Sequence, residues 1–117
     1  MSVKVSSLEA VVVSRPRPGA AVVECRGEHD LITRDEFAAL LKQLLADSDL
    51  VVVDVSEAEF IDSSFIHSLY IAHGFARAHG AQFRLQHPTA PTVHRALKVT
   101  GVLDTLDCAH SREEALR

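Results

Sequence analysis

The feature that most constrains the fold of this chain is the segment Leu50 to Val55, in which apolar residues follow one another almost without interruption. A strand with one face in water alternates apolar and polar side chains, whereas a strand covered on both faces has no such requirement. The segment therefore predicts the central strand of a parallel sheet, with Asp54 as its one polar member. Ala58 to Ile61 carries the chain on to Asp62.

Two segments with helical spacing lie on either side of this strand. Before it, Thr33 and Glu36 have the spacing of a capping box, in which each side chain bonds the other residue's backbone N–H. The apolar residues that follow recur on one helical face: Phe37, Leu40, Leu41, Leu44 and Leu45. After the strand, Asp62-Ser63-Ser64 supplies capping residues for a second amphipathic helix that ends at Gly80.

The start of the chain predicts an antiparallel pair of strands. Ala10 to Ser14 and Ala20 to Cys25 are short and rich in β-branched residues. Residues 15–19, Arg-Pro-Arg-Pro-Gly, contain the residues that favour a turn between them. Gly27 to Asp30 is expected to end the second strand.

The second half of the chain predicts smaller elements. Phe83 and Leu85 alternate with polar residues, as in a strand. Pro91 suits the first turn of a helix that stops at Gly101. Leu103 to Cys108 is interpreted as a last short strand, and residues 111–114, Ser-Arg-Glu-Glu, have the capping-box pattern of a short helix.

Strands that alternate with helices predict an α/β fold with right-handed crossovers and parallel central strands. We expect a mixed sheet of four or five strands, with helices packed mainly on one face. The 117 residues, of which 47% are apolar, suffice for the core of a single domain spanning residues 1–117.

Composition narrows the possible partners and the compartment. The net charge of −4 does not favour binding to nucleic acid, which requires a basic surface. Cys25 and Cys108 lie far apart in apolar stretches, as buried thiols in a reducing compartment do. Met1 to Glu9 lacks the features of a signal peptide, and no apolar run is long enough to insert into a membrane, so we expect a cytoplasmic protein.

Four segments, taken in order, carry a resemblance to a known family. They are residues 25–30 (Cys-Arg-Gly-Glu-His-Asp), the strand 51–56, residues 60–64 (Phe-Ile-Asp-Ser-Ser) and Thr100-Gly101. This set resembles the STAS family of anti-sigma factor antagonists. Two positions depart from the family pattern, since Phe65 replaces a glycine and His29 replaces a leucine.

The resemblance implies a STAS fold and a non-enzymatic switch without metal or cofactor. It implies that the protein binds an anti-sigma factor with serine kinase activity and so regulates sigma-dependent transcription indirectly. The implied phosphoacceptor is Ser63, with Ser64 as the second choice, and a serine phosphatase would reverse the modification. The implied partner-binding residues are Asp30, Asp62, Ser63, Ser64, Phe65 and His67.

The position of Ser63 at a predicted helix start suits both a phosphate and an ordinary N-cap. A phosphate brings about −1.5 to −2 charges beside Asp62, so we expect it to switch partner binding off. The alternative is a STAS scaffold that is never phosphorylated, a subunit of a transport or signalling complex, and Phe65 favours it.

Enzymatic interpretations have little support in the sequence. Asp30 and Asp62 form a conceivable acid and base pair, but both occupy positions typical of turns and caps. Ser63 lacks the flanking glycines of a hydrolase nucleophile, and no phosphate-binding glycine loop occurs. The seven histidines include no metal-binding HExxH pattern and are interpreted mostly as surface or boundary residues.

Overall fold

The computed structural model describes residues 11–29 and 34–117. Within them, the chain forms five strands and five helices. The strands are β1 (Val11–Arg17), β2 (Ala20–His29), β3 (Leu50–Ile61), β4 (Gln82–Gln86) and β5 (Asp107–Ala109). The helices are α1 (Arg34–Asp47), α2 (Ser63–His79), α3 (Pro91–Val99), α4 (Val102–Thr105) and α5 (Arg112–Ala115).

The strands form one sheet in the order β1-β2-β3-β4-β5, with β3 in the centre. β1 runs antiparallel to β2, and the remaining neighbours are parallel. The predicted α/β class, mixed sheet and central strand are therefore confirmed. The whole of Leu50 to Val55 is buried. The helices α1 to α4 cover one face of β3, and α5 covers the opposite face.

The two faces of the sheet have cores of different size. The larger core contains Val51, Val53 and Val55 of β3 with the apolar residues of the first four helices. The smaller core lies under α5 and consists of Ala20, Val22, Leu50, Val52, Ala109 and Ala115. The helices therefore lie mainly on one face, as predicted, and α5 alone among them packs on the other.

Both strands of the antiparallel pair are longer than their patterns predict. β1 continues through Pro16 to Arg17, so the turn is confined to Pro18 and Gly19. Proline is tolerated there because β1 is an edge strand, and the pairing register shifts between Ser14 and Arg17. β2 passes through Gly27, whose φ of 69° accompanies a local register shift rather than the end of the strand.

The prediction for residues 103–108 is wrong in part, since α4 occupies its first half and the strand is limited to β5. Gly101, at φ 83°, is the N-cap of α4, and the Tyr70 hydroxyl donates a hydrogen bond to Thr100 O at 2.8 Å. The backbone N–H of Leu106 then donates to Val102 O and closes the helical turn. The sequence pattern of residues 103–108 could not reveal this helical turn, because a side chain of α2 contacts the residue before it.

Some predicted features lie within the described residues, and three predicted positions lie outside them. The predicted caps of α2 and α5 are present, with Asp62, Gly80 and Ser111 in the expected places. Ala10, Asp30 and Thr33 lie outside the described residues. No helix in the described part of the chain is both long and apolar enough to cross a membrane.

Candidate functional site

The predicted serine segment lies where β3 passes into α2. Asp62 is the single residue between them, with φ −113° and ψ −178°, and its Oδ1 accepts a hydrogen bond from Phe65 N at 2.9 Å. Its carbonyl accepts from Ile66 N at 3.2 Å, which begins the helical ladder. Asp62 is therefore the N-cap of α2, at the carboxyl edge of the parallel strands, where α/β proteins commonly bind ligands.

Ser63 is the first residue of α2, and its side chain is exposed. Its hydroxyl makes no hydrogen bond to any other described residue. The capping role that the sequence allowed for this serine belongs to Asp62, so capping does not account for Ser63. Ser64 is half-buried, and its carbonyl accepts a hydrogen bond from Ser68 Oγ at 3.1 Å.

The start of α2 is suited to an anion. The helix has 17 residues, and its first turn contains no acidic residue. The N–H groups of the first turn have no carbonyl partner within the helix, and the helix dipole places partial positive charge there. An anion on Ser63 would therefore be stabilised by α2, although it would lie beside the carboxylate of Asp62.

The structure places Phe65 differently from its prediction as a partner-binding residue. It is only 1% exposed, and its ring stacks on Phe37 of α1 with 4.8 Å between centroids and 18° between planes. Because residues two apart on a helix point to nearly opposite sides, this inward ring leaves Ser63 exposed. Phe65 is thus part of the core, and its ring is not on the surface available to a partner.

Of the remaining predicted site residues, all but one lie in the part of the chain that the structure describes. His67 is exposed one helical turn after Ser63, so the two share a face of α2. Asp62 and Ser64 are half-buried beside them. Asp30 lies outside the described residues. The face formed by Asp62, Ser63, Ser64 and His67 is called the serine face below.

The prediction of two buried thiols holds in full for Cys25 and in part for Cys108. Cys25 is fully buried and Cys108 half-buried, and both are free thiols. Burial raises the pKa of Cys25 far above its usual value, and the negative charges of Asp54 and Glu24 raise it further. Burial likewise raises the pKa of Cys108, so both thiols stay protonated near neutral pH.

A cluster of three histidines lies at the same edge of the sheet and was missed by sequence reasoning. His87 follows β4, His110 follows β5 and His94 lies on α3. The ring centroid of His87 is 4.5 Å from that of His110 and 6.2 Å from that of His94. Seven residues separate His87 from His94, and sixteen separate His94 from His110. The parallel pairing of β4 and β5 places His87 beside His110.

This cluster predicts that acid destabilises the fold. Burial lowers the pKa of His87, and His110 and then His94 lower it further, against an opposing effect of Glu114. Below its usual pKa of about 6.5, the unfolded chain therefore binds a proton more readily than the native protein, so stability decreases as pH falls. We expect His87→Asn to reduce the slope of unfolding free energy against pH between about pH 5 and 7, as measured by urea denaturation. Equal slopes for both proteins would contradict this assignment.

The five-stranded mixed sheet, with helices mainly on one face, agrees with the STAS fold that the sequence resemblance implies. Residues 13–107 match the family model described as "Mlab, STAS domain". The chain therefore belongs to the STAS family. A search of curated proteins returned no significant match.

Solved structures of the same fold are similar at low sequence identity. The anti-sigma factor antagonist SpoIIAA in its unphosphorylated form has a TM-score of 0.78 and 19% identity, over 92% of this chain and 93% of that one. SpoIIAA of Bacillus in its phosphorylated form has a TM-score of 0.69 and 18% identity, over 92% and 96%. An anti-sigma factor antagonist from Mycobacterium paratuberculosis has a TM-score of 0.76 and 23% identity, over 91% and 89%. A sulfate transporter family protein from Wolinella succinogenes has a TM-score of 0.69 and 16% identity, over 88% and 86%.

Proposed function

We propose that this STAS domain is an anti-sigma factor antagonist, which binds an anti-sigma factor in the cytoplasm and is switched off by phosphorylation of Ser63. In this proposal the domain is non-catalytic, the kinase is the anti-sigma factor itself, and a serine phosphatase restores binding. The observation that carries the proposal is the exposed Ser63 hydroxyl at the start of α2, which has no structural role among the described residues.

Two further observations support the proposal, and the first of them favours Ser63 over Ser64. Ser63 is the more exposed of the two, so a kinase reaches its hydroxyl more easily. SpoIIAA, which shares this fold, has been solved in both phosphorylated and unphosphorylated forms. Phosphorylation of a protein with this fold therefore has a precedent in SpoIIAA.

The switch is proposed to act through local charge. A phosphate adds about −1.5 to −2 charges beside Asp62 on the serine face. Within the protein, the start of α2 compensates for this charge, so folding is little affected. Across an interface, a partner surface shaped for a neutral serine would have to desolvate the phosphate, and binding would be lost.

The proposal predicts that Ser63→Asp weakens binding of the cognate anti-sigma factor by about tenfold or more, because an uncompensated like charge in an interface costs several kcal/mol. Its melting temperature is expected to equal or exceed that of the wild type, since aspartate is favourable in the first turn of a helix. Titration calorimetry and thermal denaturation measure the two quantities.

Matched variants separate the charge from the loss of the serine. Ser63→Ala is expected to bind as the wild type does and to accept no phosphate from the kinase. Ser14→Asp adds the same charge on the exposed edge strand β1 and is expected to leave binding unchanged. A folded Ser63→Asp protein that binds with wild-type affinity would refute the switch.

The second candidate function is a STAS subunit of a transport or signalling complex that is never phosphorylated. The similarity to a sulfate transporter family protein favours it. Phe65 favoured this alternative in the sequence, but its buried ring leaves Ser63 exposed and so lends the alternative no support. Under this alternative, Ser63→Ala and Ser63→Asp bind the partner equally, and incubation with a binding kinase and ATP adds no mass to the chain.

A further inference from the structure

The end of β3 exposes an aromatic ring that neither core uses. The side chain of Phe60 is 45% exposed. It belongs to neither apolar core, and it makes no ring contact with another described residue. Every other phenylalanine or tyrosine ring in the described part of the chain is buried or half-buried. Packing within that part of the chain therefore does not account for this ring.

The direction of the ring follows from the neighbouring residue in the strand. Ile61 is buried in the larger core, beneath the first four helices. Since successive side chains of a strand point to opposite faces of the sheet, the Phe60 ring points to the face on which α5 packs. There α5 lies over the part of β3 from Leu50 to Asp54. Phe60 lies six residues farther toward the carboxyl edge, so α5 does not cover it.

The end of β3 is held on both sides and therefore presents the ring in a fixed position. On one side it pairs with β2 through its last residue. On the other side, beyond the last pair with β4, two hydroxyl groups bond its carbonyls. Thr89 Oγ1 donates to Ser56 O at 2.7 Å, and Thr92 Oγ1 donates to Glu59 O at 3.4 Å. A backbone that is already ordered loses little entropy when a partner binds.

Phe60 and Ser63 lie at the same edge of the sheet, on either side of the junction between β3 and α2. Three residues of chain span at most about 11 Å. A standard interface covers about 800 Å² of each partner, a patch roughly 30 Å across. A partner that binds the serine face is therefore large enough to cover Phe60 as well.

The chemistry of an exposed phenyl ring fits the centre of a protein interface. Aromatic side chains are enriched in interface cores, and a few such residues carry most of the binding free energy. A phenyl ring has no hydrogen-bonding group, so its complement is an apolar pocket that excludes water. The sequence assigned the aromatic partner contact to Phe65, but that ring lies in the core. Phe60 is the aromatic residue left available beside the serine face.

We propose that Phe60 anchors the interface with the anti-sigma factor, and that an apolar pocket of the anti-sigma factor receives its ring. This role rests on the proposed function, because the anti-sigma factor is the partner that covers the serine face. The two side chains have different tasks. The ring of Phe60 supplies binding free energy, and the charge at Ser63 decides whether the complex forms. Loss of the ring therefore weakens binding without any change in phosphorylation.

Phe60→Ala tests the anchor in the full chain, with the anti-sigma factor that serves for Ser63→Asp as the titrant. We expect binding to weaken about tenfold or more, as for a buried aromatic hot spot. The melting temperature is expected to fall by less than about 5 °C, because nearly half of the side chain is already in water. Titration calorimetry and thermal denaturation measure the two quantities. Phe60→Leu keeps apolar bulk and is expected to lose less affinity than Phe60→Ala.

The matched control is Val99→Ala. The helix α3 contacts the end of β3 through Thr92 in its first turn, whereas Val99 is its last residue and is 72% exposed. This change also removes exposed apolar area and is expected to leave affinity unchanged. Equal losses in Phe60→Ala and Val99→Ala would overturn the anchor, because they would report surface apolarity in general.

The outcomes distinguish the anchor from the switch. Wild-type affinity of folded Phe60→Ala, together with weak binding of Ser63→Asp, would overturn the anchor alone. Weak binding of Phe60→Ala, together with wild-type affinity of Ser63→Asp, would support the anchor and overturn the switch. A wild-type chain that binds no anti-sigma factor would overturn both.

A direct measurement of contact complements the affinities. If Phe60→Ala does not fold, Phe60→Thr takes its place, since threonine favours strands. The photoreactive residue p-benzoylphenylalanine is placed at position 60 or, as the control, at position 99, and each full-length chain is irradiated with the same anti-sigma factor. We expect a covalent adduct from position 60 and none from position 99. Adducts from neither position, or equally from both, in chains that still bind would overturn the proposal.

Discussion

Replacement of Phe65 by alanine is expected to lower the free energy of unfolding by about 3–5 kcal/mol, the usual cost of deleting a fully buried phenyl ring. The ring is 1% exposed and stacks on Phe37, which is itself fully buried. Truncation removes buried apolar area and leaves a cavity between α1 and α2. The two helices can move together only partly, so the cavity is not fully closed. Urea denaturation at neutral pH measures the loss.

The matched control is Phe60→Ala. Phe60 is 45% exposed at the end of β3, so the same change is expected to cost less than about 1 kcal/mol. Similar losses for the two variants would show that Phe65 does not anchor α2. Phe65→Gly, which restores the family residue, is expected to cost more than Phe65→Ala, because glycine adds flexibility within the first turn of a helix.

Removal of the Asp54 carboxylate is expected to destabilise the protein by about 2–4 kcal/mol. Asp54→Ala deprives the half-buried backbone N–H of Ser56 of its acceptor, Oδ1 at 2.8 Å, and an unpaired donor costs about 1–3 kcal/mol when it is fully buried. It also removes one carboxylate partner of Arg112. That second contribution is modest, because the Arg112 side chain is 37% exposed and solvent screens its charge.

Two comparisons divide the effect between these contacts. Asp54→Asn keeps an acceptor for Ser56 and is expected to cost about half as much as Asp54→Ala. In a double-mutant cycle, Asp54→Ala and Arg112→Ala are expected to be non-additive by about 1 kcal/mol, as residues in one network are. Glu57→Ala, which removes an exposed carboxylate 3.7 Å from Arg26, is expected to change stability by less than about 0.5 kcal/mol. Additive effects of Asp54 and Arg112 would contradict the network.

Sequence reasoning succeeded where local patterns dominate. The continuous apolar run identified β3 as central, because only a strand covered on both faces tolerates such a run. The capping residues Asp62 and Ser111 marked helix starts, because a cap satisfies its own neighbouring N–H groups. The ordered motifs then identified the STAS family, which the family match confirms.

Sequence reasoning failed where a contact joins distant parts of the chain. Phe65 follows the serines directly and was assigned to the partner surface, but its direction is set by Phe37 on another helix. The first half of the strand predicted for residues 103–108 is α4 instead, and Tyr70 of α2 holds the carbonyl of Thr100 at its start. The extension of β2 through Gly27 depends on pairing with β3, which supplies partners that the local sequence does not show.

By itself, the sequence determined the class, the central strand and the segment in which α2 begins, since each follows from residues within a few positions of one another. Only the tertiary structure decided that Asp62, and not Ser63, caps α2, and that Phe65 points inward. It also decided that three histidines meet at one sheet edge, and that Arg112 reaches Glu24 from 88 residues away. Such contacts depend on strand order and register, which bring together side chains that no local pattern relates.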